Sequence, residues 1–202
     1  AAYADDAPGA YGYMGTSSTD EHWYYSCPNA QVVPLTDVAL LGSRSFLIER
    51  VRGLSGHGGT AGHIGTAWGW YMLSPKWTGI WPSASAPNPY GPTVTKAVLL
   101  MTDGEFNIAY RNGGETVPWP DPAATDGSIA GTSNYQAKQI CDQMKADGVT
   151  IYSVAFQAPP SAEALLRDCS GGSNYYDAAN RTELKAAFRA IADKLTSIKL
   201  SQ

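Results

Sequence analysis

The carboxyl-terminal half of the chain alternates short apolar runs with segments of helical spacing. Residues 97–101 and 149–156 are almost continuously apolar, which is typical of strands buried on both faces of a parallel sheet. Helical patterns and one further short strand complete the series, at 134–146, 161–168, 175–176 and 182–198. The resulting βαβαβα order predicts an α/β fold with a doubly wound, mostly parallel sheet and helices on both faces.

The amino-terminal part is less regular. Residues 1–30 combine Gly, Ser, Asp and Tyr without an apolar period, so we interpret them as a loop-rich arm and residues 31–202 as the domain. Thr36 and Asp37 are N-cap candidates for a helix through Arg52, although Gly42 weakens that pattern.

Two further segments precede the first apolar run. A second helical pattern begins at Thr60 and stops at Ser74-Pro75, and Pro75 with the twenty residues after it includes five Pro. Such a composition predicts a loop rather than a regular element.

Composition and charge limit the classes of partner. The 202 residues suffice for one domain, and the net charge of −4 with 16% charged residues argues against binding to nucleic acid or anionic lipid. The chain has no stretch of about 20 consecutive apolar residues, so this segment is not expected to contact a membrane. Three cysteines, Cys27, Cys141 and Cys169, are too few and too widely spaced for a disulfide scaffold or a CxxC metal site.

Candidate chemistry lies where the strand at 97–101 ends. In an open α/β sheet, ligands bind beyond the carboxyl ends of the strands, and Asp103 occupies that position. With the hydroxyl of Thr60 from a glycine-rich loop, it would offer hard oxygen ligands to Mg²⁺, Mn²⁺ or Ca²⁺. The alternative is that Asp103 caps a turn and Thr60 caps its helix, which the residues alone favour because two ligands make a sparse site.

Two stretches carry a family resemblance: residues 58–75 (GGTAGHIGTAWGWYMLSP) and 96–107 (KAVLLMTDGEFN). They resemble the carboxyl-terminal half of the von Willebrand factor A domain in TadG-like proteins of bacterial Tad (Flp) pilus assembly. This resemblance implies a Rossmann-like fold and a metal-ion-dependent adhesion site built from three loops. Thr60 and Asp103 match the second and third loops. The first loop, DxSxS, is absent from these 202 residues, and in the family it belongs to a preceding segment that also carries the first strand and a membrane anchor.

The resemblance also implies a function. We expect a non-enzymatic adhesion or assembly module of the cell envelope that binds a pilus or envelope protein, with Mg²⁺ or Ca²⁺ held incompletely by this chain alone. The missing amino-terminal half of the domain would be a further partner. The extracytoplasmic location that this implies, and the positions of Cys141 and Cys169 on successive helices, predict a disulfide between them. Cys27 would then be free or paired outside the chain.

Other chemistries have weaker support. A metal-dependent or serine hydrolase with its site at the same strand ends is the alternative function, although GxSxG is absent. His22, His57 and His63 could together hold zinc, but they have no recognisable acidic second shell, and we interpret them as loop histidines. The glycine-rich segment lacks the GK[ST] of a phosphate-binding loop.

Overall fold

A computed structural model describes residues 30–56, 60–107, 109–110, 116–117 and 133–200 of the chain. Most of the predicted arm, together with Cys27, His22 and His57, lies outside these residues. The elements in chain order are α1 (Ser43–Arg52), α2 (Gly62–Tyr71), β1 (Ala97–Thr102), β2 (Ala109–Tyr110), β3 (Thr116–Val117), α3 (Ser133–Ala146), β4 (Thr150–Phe156), α4 (Pro160–Ser170), β5 (Tyr175–Ala178) and α5 (Arg181–Leu200).

The main sheet has three parallel strands in the order β1-β4-β5. Val154 in β4 is level with Met101 in β1 and with Tyr176 in β5. The carboxyl ends of the three strands therefore meet at one edge, which we call the carboxyl edge. Strands β2 and β3, which the sequence did not predict, form a separate antiparallel ribbon. The mixed α/β class is confirmed, whereas a complete doubly wound sheet stays a prediction.

Helices α2, α3 and α4 cover one face of the sheet. Their apolar residues form a core with Val98 of β1 and Ile151 of β4. The buried positions of α3 recur at helical spacing and form one face of the helix: Ser133, Gln136, Ala137, Ile140, Cys141 and Met144. This spacing explains why the segment folds as a helix against the sheet.

Helix α5 covers the other face. Ala187 and Ile191, one turn apart, are buried against Tyr152 and Val154 of β4 and Ala178 of β5. Strand β4 is thus covered on both sides, as its continuous apolar run predicts. Within the described residues, no helix combines the length and apolar character needed to cross a bilayer.

Strand β1 departs from the prediction that both its faces are buried. Val98 faces the core, but Leu99 and Met101 on the opposite face are 37% and 54% exposed. The physical reason is that α5 packs over β4 and β5 and leaves this part of β1 uncovered. In the described sheet, β1 pairs only with β4, so its outer edge is open.

Helix α1 begins six residues later than the sequence suggested. Gly42 at its N-cap has a left-handed φ of 84°, which a helix running on from Asp37 cannot contain. The Asp37 carboxylate instead accepts a hydrogen bond from the Ala39 amide (2.8 Å) in a local turn. None of the residues of α1 is buried.

The proline-rich segment before β1 contains two short 3₁₀ helices, Pro75–Ile80 and Ser83–Ser85, within the predicted loop. The buried ammonium group of Lys96 holds this segment in place. Lys96 donates to the carbonyl oxygens of Leu73 and Asn88, the latter at 2.5 Å, and its Nζ lies 4.2 Å from the centroid of the Tyr90 ring. Charge-assisted bonds of this kind satisfy a cation that burial would otherwise destabilise.

Candidate functional site at the carboxyl edge

Asp103 lies in the turn that directly follows β1. The turn is closed by its neighbour: the Gly104 amide donates to Thr102 Oγ1 (3.2 Å), and that hydroxyl donates to the Gly104 carbonyl (3.0 Å). Asp103 itself is exposed. The residue therefore lies exposed at the carboxyl edge, where open α/β sheets bind ligands.

Thr60 is held against the same turn by a pair of hydrogen bonds to Asn107. The Thr60 amide donates to Asn107 Oδ1 (2.7 Å), and the Asn107 amide donates to the Thr60 carbonyl (3.0 Å). These contacts join two loops that lie 47 residues apart in the sequence. The structure thus connects the loop of Thr60 to the segment that carries Asp103.

Phe106 adds an apolar contact between these loops. Its ring lies so close to the Cα of Gly62, the first residue of α2, that a Cβ there would overlap the ring. Glycine is therefore required for this approach. The contact fixes the start of α2 against the segment that carries Asp103.

The other side of this segment is attached to α4. The Ser161 hydroxyl, in the first turn of that helix, donates to the carboxylate of Glu105. Charged acceptors give the stronger class of hydrogen bond, although exposure to water reduces the gain. Residues 103–107 are consequently held between α2 and α4.

Gln157, directly after β4, completes the carboxyl edge. It has a left-handed φ of 52°, the only positive φ among the described residues other than glycine. Its amide donates to the Ala178 carbonyl (3.1 Å), and its side-chain Nε2 donates to the Ala179 carbonyl (2.9 Å). Such a conformation costs on the order of 1 kcal/mol and is typical of sites where the surrounding contacts fix the backbone. No sequence signal singled it out.

Among the described residues, neither capping role of the alternative interpretation is present. The N-cap of α2 is Ala61, which has no side-chain oxygen, and the turn after β1 is closed by Thr102. The prediction that Thr60 and Asp103 bind metal remains a prediction. Among the described residues no group of three or more His, Cys, Asp or Glu could hold an ion.

His63 is not a loop histidine, which corrects the sequence interpretation. It is fully buried in the first turn of α2, where Nδ1 shares a hydrogen bond with Ser133 Oγ (2.7 Å). Burial lowers the pKa of His63 to about 4. Since Ser133 is also buried, at 3% exposure, the pair connects α2 to α3 and is not accessible to a substrate.

A disulfide joins Cys141 of α3 to Cys169 of α4, with 5.2 Å between the two Cα atoms, in agreement with the expected pairing. Lys138 bridges Asp142 (2.7 Å) and Asp168 (3.2 Å) nearby. These ion pairs are part-exposed and contribute little to stability. The hydrogen bond to Asp142 raises the pKa of Lys138. The disulfide supplies the main cross-link between the two helices.

The geometry defines a class: an α/β domain whose loops form a candidate binding site at the carboxyl edge of a parallel sheet. No protein-family model and no curated protein matches the chain. Two crystal structures of the pilus adhesin SpaC from Lactobacillus rhamnosus GG, one in the open conformation, are similar to it. Each has a TM-score of 0.56 and 13% sequence identity.

The structural alignment covers 83% of this chain and 22% of the SpaC chain. At this identity the similarity shows the fold alone. Since the matched region is under a quarter of the adhesin, the activity of the whole adhesin is not established for this chain.

Proposed function

We propose that this chain is a non-enzymatic adhesion or assembly module of the bacterial cell envelope, associated with a Tad-type pilus, that binds a protein partner at the carboxyl edge. The observation that carries the proposal is the pair of hydrogen bonds between Thr60 and Asn107, which ties a hydroxyl-bearing loop to the segment that begins at the exposed Asp103. The resemblance to a von Willebrand factor A domain supports the same assignment. The disulfide suits the oxidising conditions outside the cytoplasm.

Thr60 and Asp103 would hold a divalent cation at this site. Their hydroxyl and carboxylate oxygens are the ligands that Mg²⁺ and Ca²⁺ prefer. A cation of this kind takes about six or more oxygens, so the other positions belong to water, to a DxSxS loop and to a carboxylate of the partner. The bound ion would supply positive charge that attracts an Asp or Glu without any bond being broken.

A second segment, from another part of the protein or from another chain, would complete the domain. The open edge of β1 and the exposed side chains of Leu99 and Met101 suit an added strand with a layer of apolar side chains over it. A strand paired there in parallel with β1 would end at the carboxyl edge, as β1 does before Asp103. It would therefore be in place to carry the DxSxS loop.

Partner capture tests the adhesion site. Pilus and envelope proteins from the source organism are offered to the full-length protein with and without EDTA, and to the Asp103→Ala variant. We expect capture that EDTA abolishes and that Asp103→Ala lowers at least tenfold, since one of the charged ligands is lost. Asp147→Ala is the matched control, because Asp147 is equally exposed but lies before β4, at the opposite edge.

Two outcomes would contradict the proposal. Equal capture by wild type, Asp103→Ala and Asp147→Ala, with or without EDTA, would mean that no metal-dependent adhesion site exists at Asp103. Turnover of an ester or peptide substrate that disappears in Asp103→Ala would instead favour the hydrolase.

Protection of the β1 backbone tests the completing segment. Amide exchange is measured for residues 97–102 in the 202-residue chain and in the full-length protein. We expect strong additional protection on the outer edge of β1 in the longer protein, because its amides gain partners. Equal exchange in both proteins would contradict an added strand from within the same protein, while leaving the adhesion site untouched.

A further inference from the structure

The segment after Asp103 contains two residues, Phe106 and Asn107, that contact the loop and helix start at Thr60 and Gly62. Asn107 is partly buried and uses both its backbone and its side chain on one residue, Thr60. A contact made twice between the same two residues fixes orientation as well as distance. Phe106 adds a third point of contact at Gly62.

We propose that Asn107 is a positioning residue: its side-chain oxygen holds the Thr60 loop against the segment of Asp103 and so sets the separation of the two oxygen ligands. The inference rests on the proposed function. A site with only two protein ligands depends on this separation. If the Thr60 loop is already held in place before the ion binds, less conformational entropy is lost on binding. In the Asn107 side chain only Oδ1 can accept the hydrogen bond that the Thr60 amide donates, because the side-chain nitrogen is a donor.

Substitutions at Asn107 can distinguish a positioning role from a general contribution to stability. Asn107→Ala removes the acceptor for the Thr60 amide, whereas the second hydrogen bond, from the Asn107 amide to the Thr60 carbonyl, remains. The variant should therefore fold. Asn107→Asp keeps an oxygen acceptor at the same position and is the conservative rescue. Asn174→Ala is the matched control, because its side-chain oxygen accepts a long, exposed bond from Lys194 (3.3 Å) at the amino end of β5.

The first readout is hydrogen exchange at the Thr60 amide in the full-length protein. We expect Asn107→Ala to accelerate it about five- to tenfold, the effect of one lost hydrogen bond. Exchange in α3 should not change in this variant. Asn107→Asp and Asn174→Ala should leave the Thr60 amide at the wild-type rate. Unchanged exchange at Thr60 in Asn107→Ala, or equal acceleration throughout α3, would overturn the inference.

The second readout is Mn²⁺ affinity, with Mn²⁺ as a paramagnetic probe for the same oxygen ligands. Asn107→Ala should weaken binding about tenfold, and Asn107→Asp should bind at least as well as wild type. Wild-type affinity in Asn107→Ala, despite faster exchange at Thr60, would overturn the positioning role. If wild type binds no Mn²⁺, the proposed metal site fails, and the exchange measurement still decides whether Asn107 holds the loop.

Discussion

Helices α1 and α3 differ in how many of their side chains are buried. Both carry apolar residues, yet α3 buries six positions against α2, α4 and the sheet, and α1 buries none. The interactions recorded within α1 are local, such as the ion pair of Arg52 with Glu49 (2.9 Å) and the guanidinium of Arg50 at 5.1 Å from the Phe46 ring. Short helices draw most of their stability from packing, so the comparison shows that α3 belongs to a completed core and α1 does not.

The region around α1 has the composition of an interface rather than of a solvated surface. Of the thirteen large apolar side chains that are exposed in the described part of the chain, nine lie between residues 32 and 54. A hollow of about 460 Å³ lies between the segment of Val33 and the end of α1 at Val51. Clustered exposed apolar side chains are typical of surfaces that another segment or chain covers.

Truncating one buried and one exposed apolar side chain tests the contrast most strongly. Ile140→Ala in α3 should lower the free energy of unfolding by about 4 kcal/mol, because Ile140 is completely buried and a cavity remains. Leu41→Ala, just before α1, should change it by less than about 0.5 kcal/mol in the 202-residue chain, since Leu41 is fully exposed. Urea unfolding measures both. A large effect of Leu41→Ala would mean that the region packs on the described core.

The cross-link between α3 and α4 gives the next largest effect. Replacing Cys141 and Cys169 by Ala should lower the free energy of unfolding by about 3 kcal/mol, since the disulfide closes a loop between residues 28 apart. Cys27→Ala is the control and should have little effect. Thermal unfolding without reductant compares the two. Equal stability of all three proteins would show that the bond does not form in solution.

Acid should loosen the contact of α2 with α3. The folded pKa of His63, about 4, lies below its unfolded value of about 6.5. The unfolded chain therefore binds more protons between these values, and stability is lost as the pH falls through this window. The loss from pH 8 to pH 5 should be about 2 kcal/mol.

Denaturant titrations at pH 8 and pH 5 measure this loss. His63→Gln, which keeps a hydrogen-bonding side chain but does not titrate, should lose about 2 kcal/mol less than wild type over the same range. An equal loss in both proteins would assign the acid sensitivity to other groups.

Two glycines of α2 provide the smallest and most local test. Gly62→Ala should destabilise by about 1 kcal/mol or more, because its Cβ would displace the Phe106 ring. Gly65→Ala should stabilise by about 0.5 to 1 kcal/mol, since that position is helical, exposed and open. The melting temperatures should therefore shift in opposite directions. A stabilising Gly62→Ala would show that Phe106 does not hold the start of the helix.

Local sequence patterns predicted β4 and α3 well. The apolar run of β4 and the helical spacing of α3 each describe burial that the structure contains. The same reasoning misplaced the start of α1, because the left-handed Gly42 outweighs the cap signal at Asp37. It also assigned both faces of β1 to the core. The apolar character of a strand face indicates that another element packs on it, but not whether that element lies within these residues.

The candidate site was predictable in position but not in construction. Asp103 and Thr60 could be proposed from a strand end and a glycine-rich loop. Two features of the site depend on tertiary packing between residues more than 40 positions apart. They are the hydrogen bonds between Asn107 and Thr60 and the contact of Phe106 with Gly62. A single sequence contains no periodicity that encodes such contacts.

The position of the disulfide has a mechanical consequence. The covalent loop from Cys141 to Cys169 encloses the whole of β4, the central strand. If the chain is pulled from its two ends, the enclosed strand can leave the sheet but cannot add its length to the extension. At about 3.3 to 3.6 Å per residue, the oxidised chain would extend roughly 90 to 100 Å less than the reduced chain. The disulfide would thus limit how far the chain extends when it is pulled.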